Sequence, residues 1–266
     1  MADLPVYLHL MRAQVRAQAQ YRLSFLVDVT CATLFTTLDL LALLVLFRVT
    51  RALGGFNLRE AFLITALASF SFALSDLSAG NVERLGQYVR TGLLDALLVR
   101  PRAVLPQLLF TDFTLRRVGQ VAQGAVALAL ACQLNHVRYT PAHLALLVLA
   151  PICGALFFIS LFVAGATVAF YWIDSGELAN SFTYGGRTFA QYPITVYSGL
   201  FRRVFAYGLG FAFVAYYPGL LLLDRPDPLG GPAWLGWTGP AVAALAATLA
   251  TLAWRTGIRH YRSTGS

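Results

Sequence analysis

Lysine is absent: all twenty strongly basic residues of this 266-residue sequence are arginine. A Walker-type phosphate loop needs its lysine to reach the nucleotide phosphates, and a retinal or pyridoxal Schiff base needs a lysine amine. The absence therefore excludes Walker-type ATP hydrolysis within this chain, and rhodopsin or pyridoxal chemistry with it. Charge of either sign is scarce, at 12% of residues against about 25% in an ordinary soluble domain. Together with 58% hydrophobic residues and a mean hydropathy of +0.66, this excludes a cytosolic enzyme. Cysteine and histidine are also few. Cys31, Cys132 and Cys153 stand far apart in apolar runs, as small buried hydrophobes do. His9, His136, His143 and His260 are scattered, so no metal-ligand spacing arises and no metal site is expected. Residues 1–22 are polar and amphipathic, which is not the pattern of a secretory signal.

What fills the chain is apolar runs, and a membrane-crossing helix needs roughly 20 such residues. Six runs qualify: 23–47, 61–79, 118–134, 143–173, 204–223 and 233–254. The third starts at 118 because Asp112, Arg116 and Arg117 precede it, and a charge at the bilayer centre costs at least about 2.5 kcal/mol. The turn-rich stretch 224–232, with three prolines and two glycines, separates the last two runs. The expected fold class is thus an all-α membrane protein with six transmembrane helices. Ahead of them, Leu4, Leu8, Met11 and Val15 recur at helical spacing, with Tyr7, Arg12 and Arg16 on the same stretch. This predicts an amphipathic helix lying in the membrane interface over 1–22, followed by a transmembrane domain over 23–266.

Two stretches between spans are too polar for hydrocarbon, 81–117 and 174–203. The second ends in a segment where Tyr192, Val196, Leu200 and Val204 share a face, which predicts another interfacial helix. With both termini on one side, fifteen arginines fall on that side and five on the other. The positive-inside rule then puts both termini in the cytoplasm of a multi-pass plasma-membrane protein. Asp39 lies deep in the first run, with Asp28 and Asp76 nearer the cytoplasmic ends of the first two. An intramembrane carboxylate marks an interior site or a hydrogen-bonded structural acid. Asp39, Asp76, Tyr197 and Tyr207 are the candidate substrate-path residues.

Between the second and third runs stands Tyr88-Val89-Arg90-Thr91-Gly92-Leu93-Leu94-Asp95-Ala96-Leu97-Leu98-Val99-Arg100-Pro101. Leu93, Leu94, Leu97 and Leu98 form a helix-spaced apolar face, flanked by Arg90, Asp95 and Arg100. Such a face suits a groove on a partner, with the charges setting register; the alternative is packing on the chain's own spans. The segment resembles the R-x-G-x-L-D-x-x-L-x-R-P motif of small type-2 ABC exporter permeases, the ABC-2 family transporter proteins. The likeness extends to the amphipathic first helix, the six spans, Tyr192-Pro193 and Tyr216-Tyr217-Pro218. The outer segment before the sixth span is shorter than the re-entrant helices of larger relatives, so no elaborate outer gate is implied.

The resemblance implies a permease subunit that works beside a second copy or a paralogue, on two cytoplasmic ABC ATPase subunits. ATP and Mg would sit on those ATPases, with no cofactor bound by this chain and no nucleic-acid partner; membrane lipid surrounds it. Arg90, Leu93, Leu94, Asp95, Leu97, Leu98, Arg100 and Pro101 would form the coupling contact, with Asp174, Glu177 and Arg187 as a second one. The cargo expected is an amphipathic, drug-like or lipid-like molecule. An ion-coupled carrier using Asp39 and a membrane-embedded lipid-modifying enzyme are the competing readings, the latter lacking any cluster of acid, base or metal ligands in the sequence.

Overall fold

The computed structural model describes residues 41–101, 103–111, 115–172 and 175–261, with residues 27 and 30. The interfacial helix expected over 1–22, with Tyr7, Arg12 and Arg16, lies outside the described residues, as do Asp28, Asp39 and Asp174.

Among the described residues every extended element is helical, and the one β-bridge, Leu53 to Phe56, closes a turn. That turn feeds α1, Leu58–Ala79, whose start is written in the sequence. Asn57 accepts from the Glu60 amide at 3.0 Å while its own amide donates to Glu60 Oε2 at 2.8 Å, a reciprocal cap of two otherwise orphaned donors. The helix does not stop at residue 79. It runs through a 3-10 turn, Gly80–Arg84, into α2, Leu85–Arg90, making 33 residues apolar enough to cross a membrane. Then follow α3 (Leu93–Leu98), α4 (Val104–Thr111) and α5 (Leu115–Leu134). α6 spans Pro141–Thr167, capped by Thr140 and extended by a 3-10 turn to Phe170.

Two ends of the bundle are defined by contacts. At one end Asn135, just after α5, donates to the Arg59 carbonyl at the start of α1. At the other, Arg117 near the start of α5 pairs with Asp76 near the end of α1. α7, Gly176–Gln191, runs lengthwise between these ends. Its Tyr184 donates to Glu83 at 3.3 Å, and its terminal Gln191 donates to Ser69 at 3.0 Å and accepts from Thr65 at 2.8 Å. At about 1.5 Å per residue a helix of this length covers about 24 Å. This passage corrects the expected one: the polar stretch is helix over Gly176–Gln191, and only its beginning lies at the end that carries α3.

The expected interfacial helix through Tyr192, Val196, Leu200 and Val204 does not form. Pro193 ends α7, Ile194–Val196 is a 3-10 turn, and α8 begins only at Gly199 (Gly199–Arg202), passing into a π-helical turn over Arg203–Gly208. The span expected over 204–223 is likewise broken. Gly210 adopts φ +91, open to glycine at little cost, and a 60° bend separates Gly199–Gly208 from Phe211–Leu222, whose regular part is α9, Tyr216–Leu222.

Both limbs of this bent pair open at the same end. Thr195 packs against Gly54, while Arg225 bonds Glu60 at 2.6 Å and the Gly55 carbonyl at 2.7 Å. The bend itself is buried in the interior: Gly210 faces Val242 and Phe157, and Phe211 stacks edge-on to Phe157 at 5.2 Å. The pair is therefore re-entrant, dipping in and returning. Arg202 and Arg203, expected on the same side as the motif segment, thereby lie at the end opposite α3. The last helix, α10, is Gly239–His260 rather than 233–254, because Ala233–Trp237 is a 3-10 turn packed on α9.

Three described helices are long and apolar enough to cross a membrane, Leu58–Arg90, Pro141–Phe170 and Gly239–His260; the bent pair is the fourth segment apolar enough. α5 and α7 pack lengthwise beside them. One core, around Leu63, Ile64, Phe72, Phe158, Phe189 and Phe211, fills the middle and the far end. A second lies at the end that carries α3.

Candidate functional site

The second core explains how the motif segment is held. The 3-10 turn after α1 carries Val82 into it and α2 carries Leu85 and Val89, and Gly92, with φ +70, turns the chain sharply so that α3 lies back against the bundle. Leu94 is completely buried and Leu97 is 8% exposed, packed among residues that include Leu108, Val163, Phe170 and Trp254. Leu93 is 51% exposed, Leu98 39% and Val99 87%. The four leucines therefore do not form one outward face. In a helix this short, adjacent leucines sit about 100° apart, so a pair faces each side. Arg90, Arg100 and Pro101 join Leu93, Leu98 and Val99 on the exposed surface.

Two polar contacts lock the segment to the bundle. Gln107 donates to the Leu97 carbonyl at 3.4 Å, and Tyr261, just past α10, donates its hydroxyl to Asp95 at 3.0 Å. Tyr261 also packs edge-on to Phe170, which packs edge-on to Trp254. α3 is thus tied to the ends of α6 and α10 by a hydrogen bond and an aromatic stack.

Burial and the Asp95 acceptor push the Tyr261 hydroxyl up to about 12, and burial does the same for Tyr197 at the far end. The unfolded chain releases these protons near pH 10 and the folded one later. Stability from these groups is therefore complete below pH 10 and is lost as pH rises toward 12. Tyr261→Phe should make the alkaline loss shallower, as read by circular dichroism, and weaken the protein at neutral pH by about 0.5–1.5 kcal/mol.

A charged cluster lies where α1 and its 3-10 turn meet α5 and α7. Arg117 lies 3.3 Å from Asp76, both side chains nearly inaccessible, and donates to Asn81 at 2.6 Å. Gly80 makes the room: a Cβ there would run into both the Asp76 carboxylate and the Arg117 guanidinium. On the α7 side, Tyr184 bonds Glu83 and the Arg187 guanidinium lies 5.0 Å over the Phe72 ring.

The structure thus brings Asp76 and Arg187 into one neighbourhood. It places Glu177 apart from them, exposed in the first turn of α7. Tyr197 and Tyr207 belong to the far-end and re-entrant region. Tyr197 stacks on Phe189 at 4.2 Å and Tyr207 hydrogen-bonds Tyr217. Sequence reasoning missed Arg117, Asn81, Glu83, Tyr184 and Tyr261 as site residues. The signal available was the cost of Arg117 beside an apolar run, which demands a buried partner. Among the described residues no group of three or more metal-ligating side chains is assembled.

A family model described as ABC-2 family transporter protein matches residues 33–265. No curated protein and no solved structure matches the chain.

Proposed function

The chain belongs to the ABC-2 family of transporter proteins, and from that premise we propose that it is the membrane permease subunit of an ATP-driven exporter. Two copies, or one copy and a paralogue, sit on two cytoplasmic ABC ATPase subunits that bind ATP and Mg. The cargo is an amphipathic, drug-like or lipid-like molecule, and both termini face the cytoplasm of the plasma membrane. The observation that carries this reading is the division of labour in α3. Leu94 and Leu97 fasten it to the permease, while Leu93, Leu98 and Val99 present an apolar patch flanked by Arg90 and Arg100. A protein surface of that kind, lying outside the apolar spans, fits a shallow groove on a soluble partner.

The lack of lysine supports the same arrangement, in which the ATP chemistry falls to another chain. ATP binding between the two ATPases would change their separation, and α3 would carry that movement through Tyr261 and Phe170 into α6 and α10. The test is purification of the tagged full-length protein from its native membrane in mild detergent. An ABC ATPase should copurify in equal numbers with the permease, and the complex should hydrolyse ATP while the permease alone should not. Recovery of a stable, transport-competent permease with no ATPase would overturn the reading.

A further inference from the structure

α7 carries two adjacent glycines in unlike surroundings. A Cβ at Gly186 would run into the Phe211 ring, so that glycine makes the room in which the tip of the bent pair sits. Gly185 has no such reason. Its backbone is ordinary helix, and a Cβ there would meet nothing within 4 Å among the described residues. Glycine inside a helix is less stable than alanine, so a glycine with open space beside it calls for another explanation. Gly185 lines a groove of about 670 Å³. One wall is the last two turns of α6, with Leu161 and Gly165; the second is α7, with Phe182 and Phe189; the third is the first limb of the bent pair, with Phe201 and Phe205.

Among the described residues these walls hold no charged side chain, and Ser181 supplies the one hydroxyl. The four phenylalanines form a connected array. Phe201 stacks on Phe205 at 4.4 Å, and Phe205 lies 5.5 Å from Phe189 and 6.3 Å from Phe182. The volume falls within the roughly 300–1,000 Å³ of small-molecule sites. A lipid tail would gain little by entering, because the bilayer around it is as apolar as the groove. A flat aromatic molecule gains ring-on-ring contact that acyl chains do not offer, whereas a charged group would lose its hydration against walls with nothing to pair it. We propose that this groove binds an uncharged, planar polycyclic aromatic molecule, held against Phe182 and Phe205, with Gly185 keeping its entrance open. The inference deepens the permease reading by naming the chemical class of the cargo, and rests on that reading only for the step from bound to transported.

The test titrates tritiated N-methylacridone, uncharged and planar, against purified full-length protein in phosphatidylcholine nanodiscs, with empty nanodiscs accounting for partition into lipid. Saturable binding is expected. Unlabelled pyrene should compete, while dodecanol, 9-anthroate and N-methylacridinium should each compete about tenfold more weakly or worse. Gly185→Leu puts a side chain into the groove and should weaken binding by about tenfold or more without lowering the melting temperature. Phe182→Leu and Phe205→Leu keep apolar bulk and remove a ring, so each should weaken binding about two- to tenfold. Phe182 is exposed, and its variant reads the loss of a ring even where Phe205→Leu fails to fold. Leu245→Ala, exposed on α10 and outside the groove, should leave binding unchanged.

Unchanged affinity in Gly185→Leu overturns the proposal. Competition by dodecanol as strong as by pyrene overturns it too, by assigning the groove to acyl chains, and equal competition by either charged aromatic does so by showing that charge is tolerated. Absence of saturable binding, the result if a second copy or another part of this chain fills the groove, has the same consequence. Saturable binding by a protein that copurifies with no ATPase would leave the groove standing and overturn the permease reading; a copurifying ATPase without saturable binding would overturn the groove alone.

Discussion

Arg117→Ala should cost the protein about 3–5 kcal/mol of stability, the loss expected when one partner of a buried ion pair is removed and the other charge is left without compensation. The geometry sets this apart from a surface pair. Arg117 and Asp76 are 3.3 Å apart with side chains 6% and 11% exposed, and the same guanidinium holds Asn81 at the start of the 3-10 turn that joins α1 to α2. Losing it exposes the Asp76 charge to a low-dielectric interior and releases the point where α1, α5 and α7 meet. Thermal unfolding in detergent, followed by the fluorescence of Trp254 buried in the adjacent core, reads the effect. The double variant Asp76→Leu with Arg117→Met should recover most of the loss, because both desolvated charges disappear together. Gly80→Ala should reproduce part of it by pushing a methyl group against both side chains. An Arg117→Ala protein that melts with the wild type would show that this pair does not anchor the bundle.

The second large effect separates folding from coupling within six residues. Leu94→Asp places a carboxylate in a fully buried position and should yield an unfolded or degraded permease; burying an unpaired charge is among the few single changes that exceed about 4 kcal/mol. Leu93→Asp with Leu98→Asp changes only exposed positions, so the permease should insert, remain monodisperse and keep its melting temperature. Its complex with the ATPase should nevertheless fall apart on size exclusion or lose ATP hydrolysis, since charging the centre of an apolar contact removes the residues that carry most of its binding energy. A well-folded Leu94→Asp protein would contradict the second core, and full assembly of the Leu93/Leu98 double variant would move the contact to the first turn of α7, where Glu177 is exposed.

The sequence by itself determined the class of molecule and one chemistry that it does not carry. Apolar runs too long for a soluble core dictate membrane helices, the absence of lysine keeps Walker-type ATP hydrolysis out of this chain, and the spacing in 90–101 marks a segment of special character. These properties survive folding because they depend on composition and on local chemistry, as does the Asn57 and Glu60 cap of α1. Tertiary structure decided the rest. Hydropathy placed a crossing at 204–223, yet the lengthwise passage belongs to α7, whose Thr183, Arg187 and Gln191 are individually poor membrane residues. They are tolerated there because neighbouring helices cover or bond them, Gln191 to Ser69 and Thr65, Arg187 against Phe72.

The apolar run that mimicked a span bends instead at Gly210, where a backbone conformation open to glycine lets Phe211 seat against Phe157 and Gly186. The direction of the four leucines was likewise undecided in one dimension. A helix of six residues buries whichever side finds a complementary surface, and only the juxtaposition of Phe170, Val163 and Trp254, from helices distant in sequence, chose Leu94 and Leu97. The pairing of Asp76 with Arg117 has the same origin: each charge announced that it needed a partner, and the packing of α5 against α1 supplied it.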